Sequence, residues 1–300
     1  MDPSSTMQGG QTLSSVFAPL RISSTIIRFE LPHMGGNVKN GRLFGGQTAT
    51  QVAQAVKLLY PDTVIHTIKV NFVAPGSTSL PIEICVEVIP DTNLAIANVQ
   101  QQNKVIATAK VIWYFGSTND LLSSTVFSVP QVPPPLNCTR LVDYLKTFDE
   151  RHPWKFLNLL AKGDFFDLRP VDIDHITSVP MERKSLQAWC RIGRSYRRED
   201  SLARADGVSI ILLLSDYLVA VAAHINLLKY HRLCDFGVGA SLNHMVSFHD
   251  ISDIDPQGWF LYNSNCQVHY ANRYMIEAQI FDTRGRCLLS SVQEGYLTSI

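Results

Sequence analysis

Gly207-Val208-Ser209-Ile210-Ile211-Leu212-Leu213-Leu214-Ser215-Asp216-Tyr217-Leu218-Val219-Ala220-Val221-Ala222-Ala223-His224-Ile225-Asn226-Leu227-Leu228 is the stretch that decides the fold. It holds no proline and almost no polar face, so it reads as one long helix buried on every side. Its most apolar part, Val208 to Ala223, is shorter than a bilayer span requires and carries Asp216 in its middle, which favours a protein core. Working outward, a strand-like run at 184–192 precedes the helix. Runs at 240–249, 258–265, 273–282 and 286–297 follow it. A long apolar helix followed by an antiparallel meander is an α+β pattern in which the sheet wraps over the helix.

The same order occurs earlier in the chain. Phe44-Gly45-Gly46-Gln47 leads into a helical stretch to about Leu59, with Val52, Val56 and Leu59 on one stripe. Strand-like runs at 66–74, 80–89, 95–102 and 105–115 follow, divided by Pro75-Gly76, Pro90-Asp91 and Asn103-Lys104. Helix then four strands, twice, predicts duplication of a whole domain. The expected organisation is a disordered polar tail over 1–14, an N-terminal unit over 15–117 and a C-terminal unit over 181–300. Between the units, 118–180 reads as a linker carrying a helix from about Arg140 to Leu160, with Pro133-Pro134-Pro135 marking its start.

Composition narrows the function classes. Hydrophobic residues at 46% against 17% charged fit a globular chain, and 300 residues suit two domains. Lys plus Arg equals Asp plus Glu at 26 each, so the basic excess of a nucleic-acid binder is missing. The six cysteines stand singly, with no C-x-x-C pair, which argues against a zinc site and a disulfide framework. No secretory leader is expected from the polar start of the chain.

Several short elements carry a resemblance. Leu43-Phe44-Gly45-Gly46-Gln47 resembles the "(V/L)FGGQ" signature of the type II acyl-CoA thioesterases, and Phe72-Val73-Ala74-Pro75-Gly76 its "F-x-x-P-G". Leu214-Ser215-Asp216-Tyr217, Ser241-Leu242-Asn243-His244, Phe248-His249 and Gln293-Glu294-Gly295 are similar to its later elements, in the same order. The resemblance runs from about Arg28 to Leu297. It implies a tandem (double) hotdog fold, hydrolysis of fatty acyl-CoA without a cofactor or metal, and a catalytic trio at Asp216, Ser241 and Gln293. Assembly into homo-oligomers is also implied, as is a peroxisomal location. The final Leu297-Thr298-Ser299-Ile300 departs from S-K-L, so a cytoplasmic location is the alternative. Two positions depart from the family pattern: Asn243 stands where Asp is usual, and Tyr274 where Gly is common. They motivate a second hypothesis, a binding paralogue that kept the fold and lost turnover.

Part of the trio is legible without the family. A carboxylate inside an apolar helix is costly unless partnered, and burial raises its pKa toward that of a useful general base. The plain alternative is an Asp at a helix edge bonded to a loop amide. Aligning the last strands of the halves sets Val105, Ala107, Ala109, Val111 and Trp113 against Cys287, Leu289, Ser291, Gln293 and Gly295. The face is apolar in the first half and turns polar in the second, so only the second half looks catalytic.

Ser241 is less clear, because both faces of its strand are partly polar. By strict parity His244 lies on the opposite face, unless a bulge intervenes. His244 is a candidate substrate contact, although a hydrogen-bonded structural histidine is the simpler reading for it and for His249. Gly45, Gly46 and Gln47 are candidates for a close backbone approach to substrate and an oxyanion site at a helix N-terminus. Arg194 and Arg197, in a cluster with Arg191 and Arg198, are candidates for the CoA phosphates, with a solvated loop as the alternative. Three other signals fail on a missing residue. Gln47 replaces the Lys of a phosphate-binding loop, Asn243 the last Gly of G-x-S-x-G, and Val221 the His of a hotdog dehydratase.

Overall fold

A computed structural model describes residues 18–35, 41–115, 127–147, 165–173, 185–196, 206–227 and 236–299. The expected 1–14 tail, most of the 140–160 helix and Arg197 and Arg198 lie outside them. Of that helix, only Leu141–Leu145 falls within an assigned element (α2).

In the first half, β1 (Pro19–Arg21) and β2 (Ile26–Phe29) precede helix α1 (Gly45–Leu59). Strands β3 (Thr63–Phe72), β4 (Ile82–Val88), β5 (Leu94–Gln101) and β6 (Lys104–Phe115) follow. The second half repeats this layout. Strands β7 (Phe166–Pro170) and β8 (Leu186–Ile192) lead to helices α3 (Gly207–Tyr217) and α4 (Val219–Leu227). Then come β9 (Phe236–Phe248), β10 (Phe260–Tyr270), β11 (Arg273–Asp282) and β12 (Cys287–Ser299). Strands β1, β2 and β7 lie outside the sequence reading, being too short to show an alternation of their own.

All twelve strands form one antiparallel sheet, in the order β1-β2-β4-β5-β6-β3-β9-β12-β11-β10-β8-β7. The halves meet at β3 and β9, with Ile68 opposite Val246 and Val70 opposite His244. Helix α1 packs on β3 to β6, α3 on β9, β11 and β12, and the two helices pack on each other. Alternation puts one strand face against them: Ala95, Ala97 and Val99 of β5, and Tyr274, Ile276, Ala278 and Ile280 of β11, are all buried. This is the double hotdog arrangement that the resemblance implies.

Two readings need correcting. The four strands after each helix are not a plain meander, because β3 pairs with β6 and not with β4, and β9 with β12 and not with β10. The long helix is broken: α3 ends at Tyr217, and Leu218, with φ −104° and ψ 1°, leaves the helical region before α4 begins. Both arms are apolar, so a one-residue departure leaves the hydrophobic pattern intact and cannot be seen in it. The Pro-rich segment packs on the second half, where the Trp189 indole N–H donates to Pro133 O at 2.8 Å. Cys138 packs with Trp189, Leu261, Phe281 and Cys287 in a small second core. Among the described residues no helix is long and apolar enough to cross a membrane.

Because one sheet runs through both halves, a cavity at their seam should weaken both. Ile68→Ala removes a fully buried side chain there and is expected to cost about 2–5 kcal/mol. Urea unfolding followed by tryptophan fluorescence and by circular dichroism should show one coincident transition at a lower midpoint.

Candidate active site

Helix α1 starts without a capping side chain and without an acidic residue in its first turn, so its leading N–H groups lack a local partner. The partner comes from the other half of the chain: Asp216 Oδ2 accepts from the Gly46 N–H at 2.7 Å. The approach needs glycine. A Cβ on Gly45 would stand 2.7 Å from Asp216 Oδ2 and 2.9 Å from the Phe72 ring, and one on Gly46 would stand 2.8 Å from Leu213 O. The positive end of α1 therefore abuts the C-terminal turn of α3 and favours a negative charge there.

The other carboxylate oxygen, Oδ1, accepts from the Gln293 amide at 2.5 Å. That amide nitrogen also donates to Ser241 Oγ at 2.6 Å. Gln293 thus ties Asp216 and Ser241 into a compact triangle of side chains. Burial pushes the Asp216 carboxyl up and the bonds from Gln293, Gly46 and Ser241 pull it part of the way back, leaving it at about 6. Desolvation wins over three hydrogen bonds, which leaves a carboxylate poised near neutral pH.

The backbone irregularity that aims Ser241 is a bulge. Glu294 pairs with Asn243 and Gly295 with Ser241, so Leu242 is an extra residue on β9. The bulge flips the parity and brings Ser241 and His244 to the same face. An equivalent shift occurs in β3 between Ile65 and Thr67. Matching the two registers sets Ile65 in the place of Ser241, Ile68 of His244, Val111 of Gln293 and Trp113 of Gly295. Gln54, at the same step along α1, takes the place of Asp216 and donates to Ser209 Oγ at 3.3 Å. The geometry is duplicated; the polar chemistry is confined to the second half.

The triangle borders a cavity of about 310 Å³, lined from both halves by Leu43, Phe44, Phe72, Ile106, Tyr217, Val219 and Tyr274, with Asp216 and Ser241 in its wall. Among the described residues, Asp216 is the one acidic and Arg42 the one basic lining side chain. Gly45 lines it as well, while Gly46 lies behind Asp216.

The remaining candidates are placed otherwise. Gln47 turns inward: its Oε1 accepts from the Met34 N–H at 2.5 Å and its amide meets His33 Nδ1 at 2.9 Å, so it fastens the segment before α1. His244 is fully buried and does not line the cavity, because the Gln293 side chain stands beside it on the paired strand. Arg194 is exposed and away from the cavity, Arg191 pairs with Asp167 at 3.2 Å, and Arg197 lies outside the described residues.

Of the two departures, Asn243 points to the outer face, donating to Glu294 at 3.0 Å, and has no contact with the site. Tyr274 does line the cavity, opposite Gly295, where an added Cβ would fall 2.1 Å from its ring and hydroxyl. Arg42 and Tyr274 were not among the sequence candidates; position directly before Leu43-Phe44-Gly45-Gly46 was the available signal for Arg42.

Comparison with known proteins agrees with this fold. Residues 36–113 match the acyl-CoA thioesterase N-terminal domain, and residues 144–297 the acyl-CoA thioesterase C-terminal domain. The chain belongs to the acyl-CoA thioesterase family. It is a thioesterase, and its general reaction is thioester hydrolysis. Among solved structures it is similar to the acyl-CoA thioesterase II TesB2 of Mycobacterium marinum, at 18% identity and a TM-score of 0.72, covering 96% of this chain and 98% of that one. The tesB protein of Mycobacterium avium subs paratuberculosis matches at 15% identity and 0.68, covering 95% and 98%. A more distant likeness is the dehydratase domain of PpsC from Mycobacterium tuberculosis, solved with C12:1-CoA. It matches at 10% identity and 0.55, covering 97% and 100%. At these identities the structures speak for the fold.

Gly45→Ala is the sharpest test of the approach between the two helices. The added methyl collides with Asp216 Oδ2 and Phe72. The expected result is a stability loss of about 1–3 kcal/mol together with loss of most thioesterase turnover. Thermal unfolding and thiol release on the same preparation would check it.

Proposed function

We propose that this thioesterase hydrolyses fatty acyl-CoA with a water activated by Asp216, Ser241 and Gln293. The observation that carries the reading is the Gln293 amide joining the Asp216 carboxylate to the Ser241 hydroxyl, with Asp216 and Ser241 both in the wall of an apolar cavity. An acyl chain suits walls of Leu43, Phe72, Ile106 and Val219. Arg42, as the basic lining residue, is the preferred partner for a CoA phosphate, in place of Arg194 and Arg197.

In the proposed reaction Asp216 takes a proton from water held against Ser241 and the Gln293 amide, and the water oxygen attacks the thioester carbonyl carbon. The carbonyl oxygen gains the negative charge and accepts from first-turn N–H groups of α1 next to Gly46, whose own N–H serves Asp216. Collapse expels the CoA thiolate, which takes up the proton from Asp216 and leaves the free fatty acid. A serine nucleophile is disfavoured by geometry: the buried His244 bonds Ser215, and Ser241 is bonded by an amide and a carboxylate. The peroxisomal setting, with the cytoplasm as alternative, and homo-oligomeric assembly are proposed on the family resemblance alone.

Thiol release from a series of acyl-CoAs tests the reading. Asp216→Asn is expected to lower kcat by roughly 10²- to 10⁴-fold, and Gln293→Ala by roughly 10²- to 10³-fold. Native turnover in both variants would overturn the assignment.

The working form of Asp216 is the carboxylate. With its pKa raised to about 6, kcat/KM should be level above pH 7 and fall as pH drops through 6, with a single-proton limb. A limb near pH 4 would mean that the titrating base is not a buried carboxylate.

A further inference from the structure

The Gln293 amide can serve the triangle in one orientation only. A carboxylate accepts and does not donate, so the nitrogen end must face Asp216 and Ser241, and the oxygen end, Oε1, is turned away. Rotating the amide by half a turn would set Oε1 against the Asp216 carboxylate. Some group behind Gln293 has to hold the correct rotamer, and hydrogen-bond donation to Oε1 is the direct means.

His244 stands in that place. It is the residue paired with Gln293 across β12 and β9, it is fully buried, and the Gln293 side chain acts to hold its ring pKa up against burial. Among the described residues, neither His244 Nδ1 nor Gln293 Oε1 has a hydrogen-bond partner. Two buried polar atoms without partners are costly, and a proton on Nδ1 lets one of these orphans donate to the other.

The far side of the ring decides whether that proton is available. His244 Nε2 lies 2.8 Å from Ser215 Oγ, which also lies 2.7 Å from Leu212 O on α3. The hydroxyl has one proton. Donated to Leu212 O, it forces Nε2 to carry the ring proton and leaves Nδ1 bare against Oε1. Donated to Nε2, it gives up the bond to Leu212 O but places the ring proton on Nδ1, so that both buried orphans, Nδ1 and Oε1, gain a partner.

We infer that His244, held by Ser215 as the Nδ1–H tautomer, is a positioning residue that donates to Gln293 Oε1 and so keeps the amide nitrogen aimed at Asp216 and Ser241. The inference rests on the catalytic reading of that triangle. Burial keeps the ring neutral at working pH, holding His244 at about 4, so a single tautomer is defined. No proton passes from His244 to substrate. Its counterpart in the first half is Ile68, opposite Val111, where no amide needs aiming.

The deciding measurement is the ¹⁵N spectrum of ring nitrogens in the resting full-length protein, with the His244 signals found by their loss in His244→Asn. A protonated Nδ1 and an unprotonated Nε2 are expected; a ring protonated on Nε2 overturns the inference. This readout needs no turnover, so it stands apart from the hydrolase reading, which the parent chain's thiol release tests separately.

Kinetics supply the second arm. An Asn at 244 can return an amide N–H to the Nδ1 position, whereas Leu cannot donate. His244→Leu is expected to lower kcat by about 10- to 100-fold with KM nearly unchanged, and His244→Asn to recover most of it. Equal kcat in the parent and in a folded His244→Leu variant would overturn the positioning role.

Discussion

The bond from the Gly46 N–H to Asp216 Oδ2 holds the rest of the site in place. It joins the first turn of one half's helix to the last turn of the other's. A hydrogen bond to a charged group contributes about 1.5–3 kcal/mol, and this one also balances a carboxylate that burial would otherwise neutralise. The glycines at 45 and 46 exist for this approach, since either Cβ would collide with the opposite half. The break at Leu218 serves it too, because ending α3 there leaves Asp216 and Tyr217 facing the cavity.

Duplication supplied two copies of a geometry, and divergence retained chemistry in one. Both central strands keep a bulge at the matching place, at Leu242 in β9 and His66 in β3. In the second half the bulge aims a hydroxyl at an amide and a carboxylate. In the first, Ile65, Val111 and Trp113 occupy those positions and fill the space with apolar contact. The half that carries Asp216 is not self-sufficient, since one donor to its carboxylate comes from the helix N-terminus of the other. The continuous sheet through β3 and β9 fixes the distance between them.

Burial and hydrogen bonding pull Asp216 in opposite directions, and their balance sets its chemistry. Three donors lower the pKa of the carboxyl, desolvation raises it further, and the net position near 6 suits proton abstraction at neutral pH. A fully solvated Asp would be too weak a base. One buried without Gly46, Gln293 and Ser241 would remain protonated.

Much of this was legible in the sequence, and the limits have physical causes. Periodicity of two and of 3.6 marks α1 and the eight strands after the helices, because a half-buried strand or helix must alternate. Asp216 shows itself as the one acid in an apolar helix, and Gln293 as the polar residue where Val111 stands in the other half. What periodicity cannot register is a single-residue irregularity between apolar neighbours. The break at Leu218 and the bulge at Leu242 were therefore decided by tertiary structure alone, and with them the face of Ser241 and His244.

Contacts between the halves were equally out of reach, because they join residues far apart in the chain. Asp216 and Gly46 are separated by 170 residues, and no local pattern says which helix end meets which acid. The sequence by itself determined that there are two repeated α+β units and that the second carries the polar residues. Only the packing of one unit on the other decided that both build the site, since the buried carboxylate takes a donor from its own half and another from the first turn of the other half's helix.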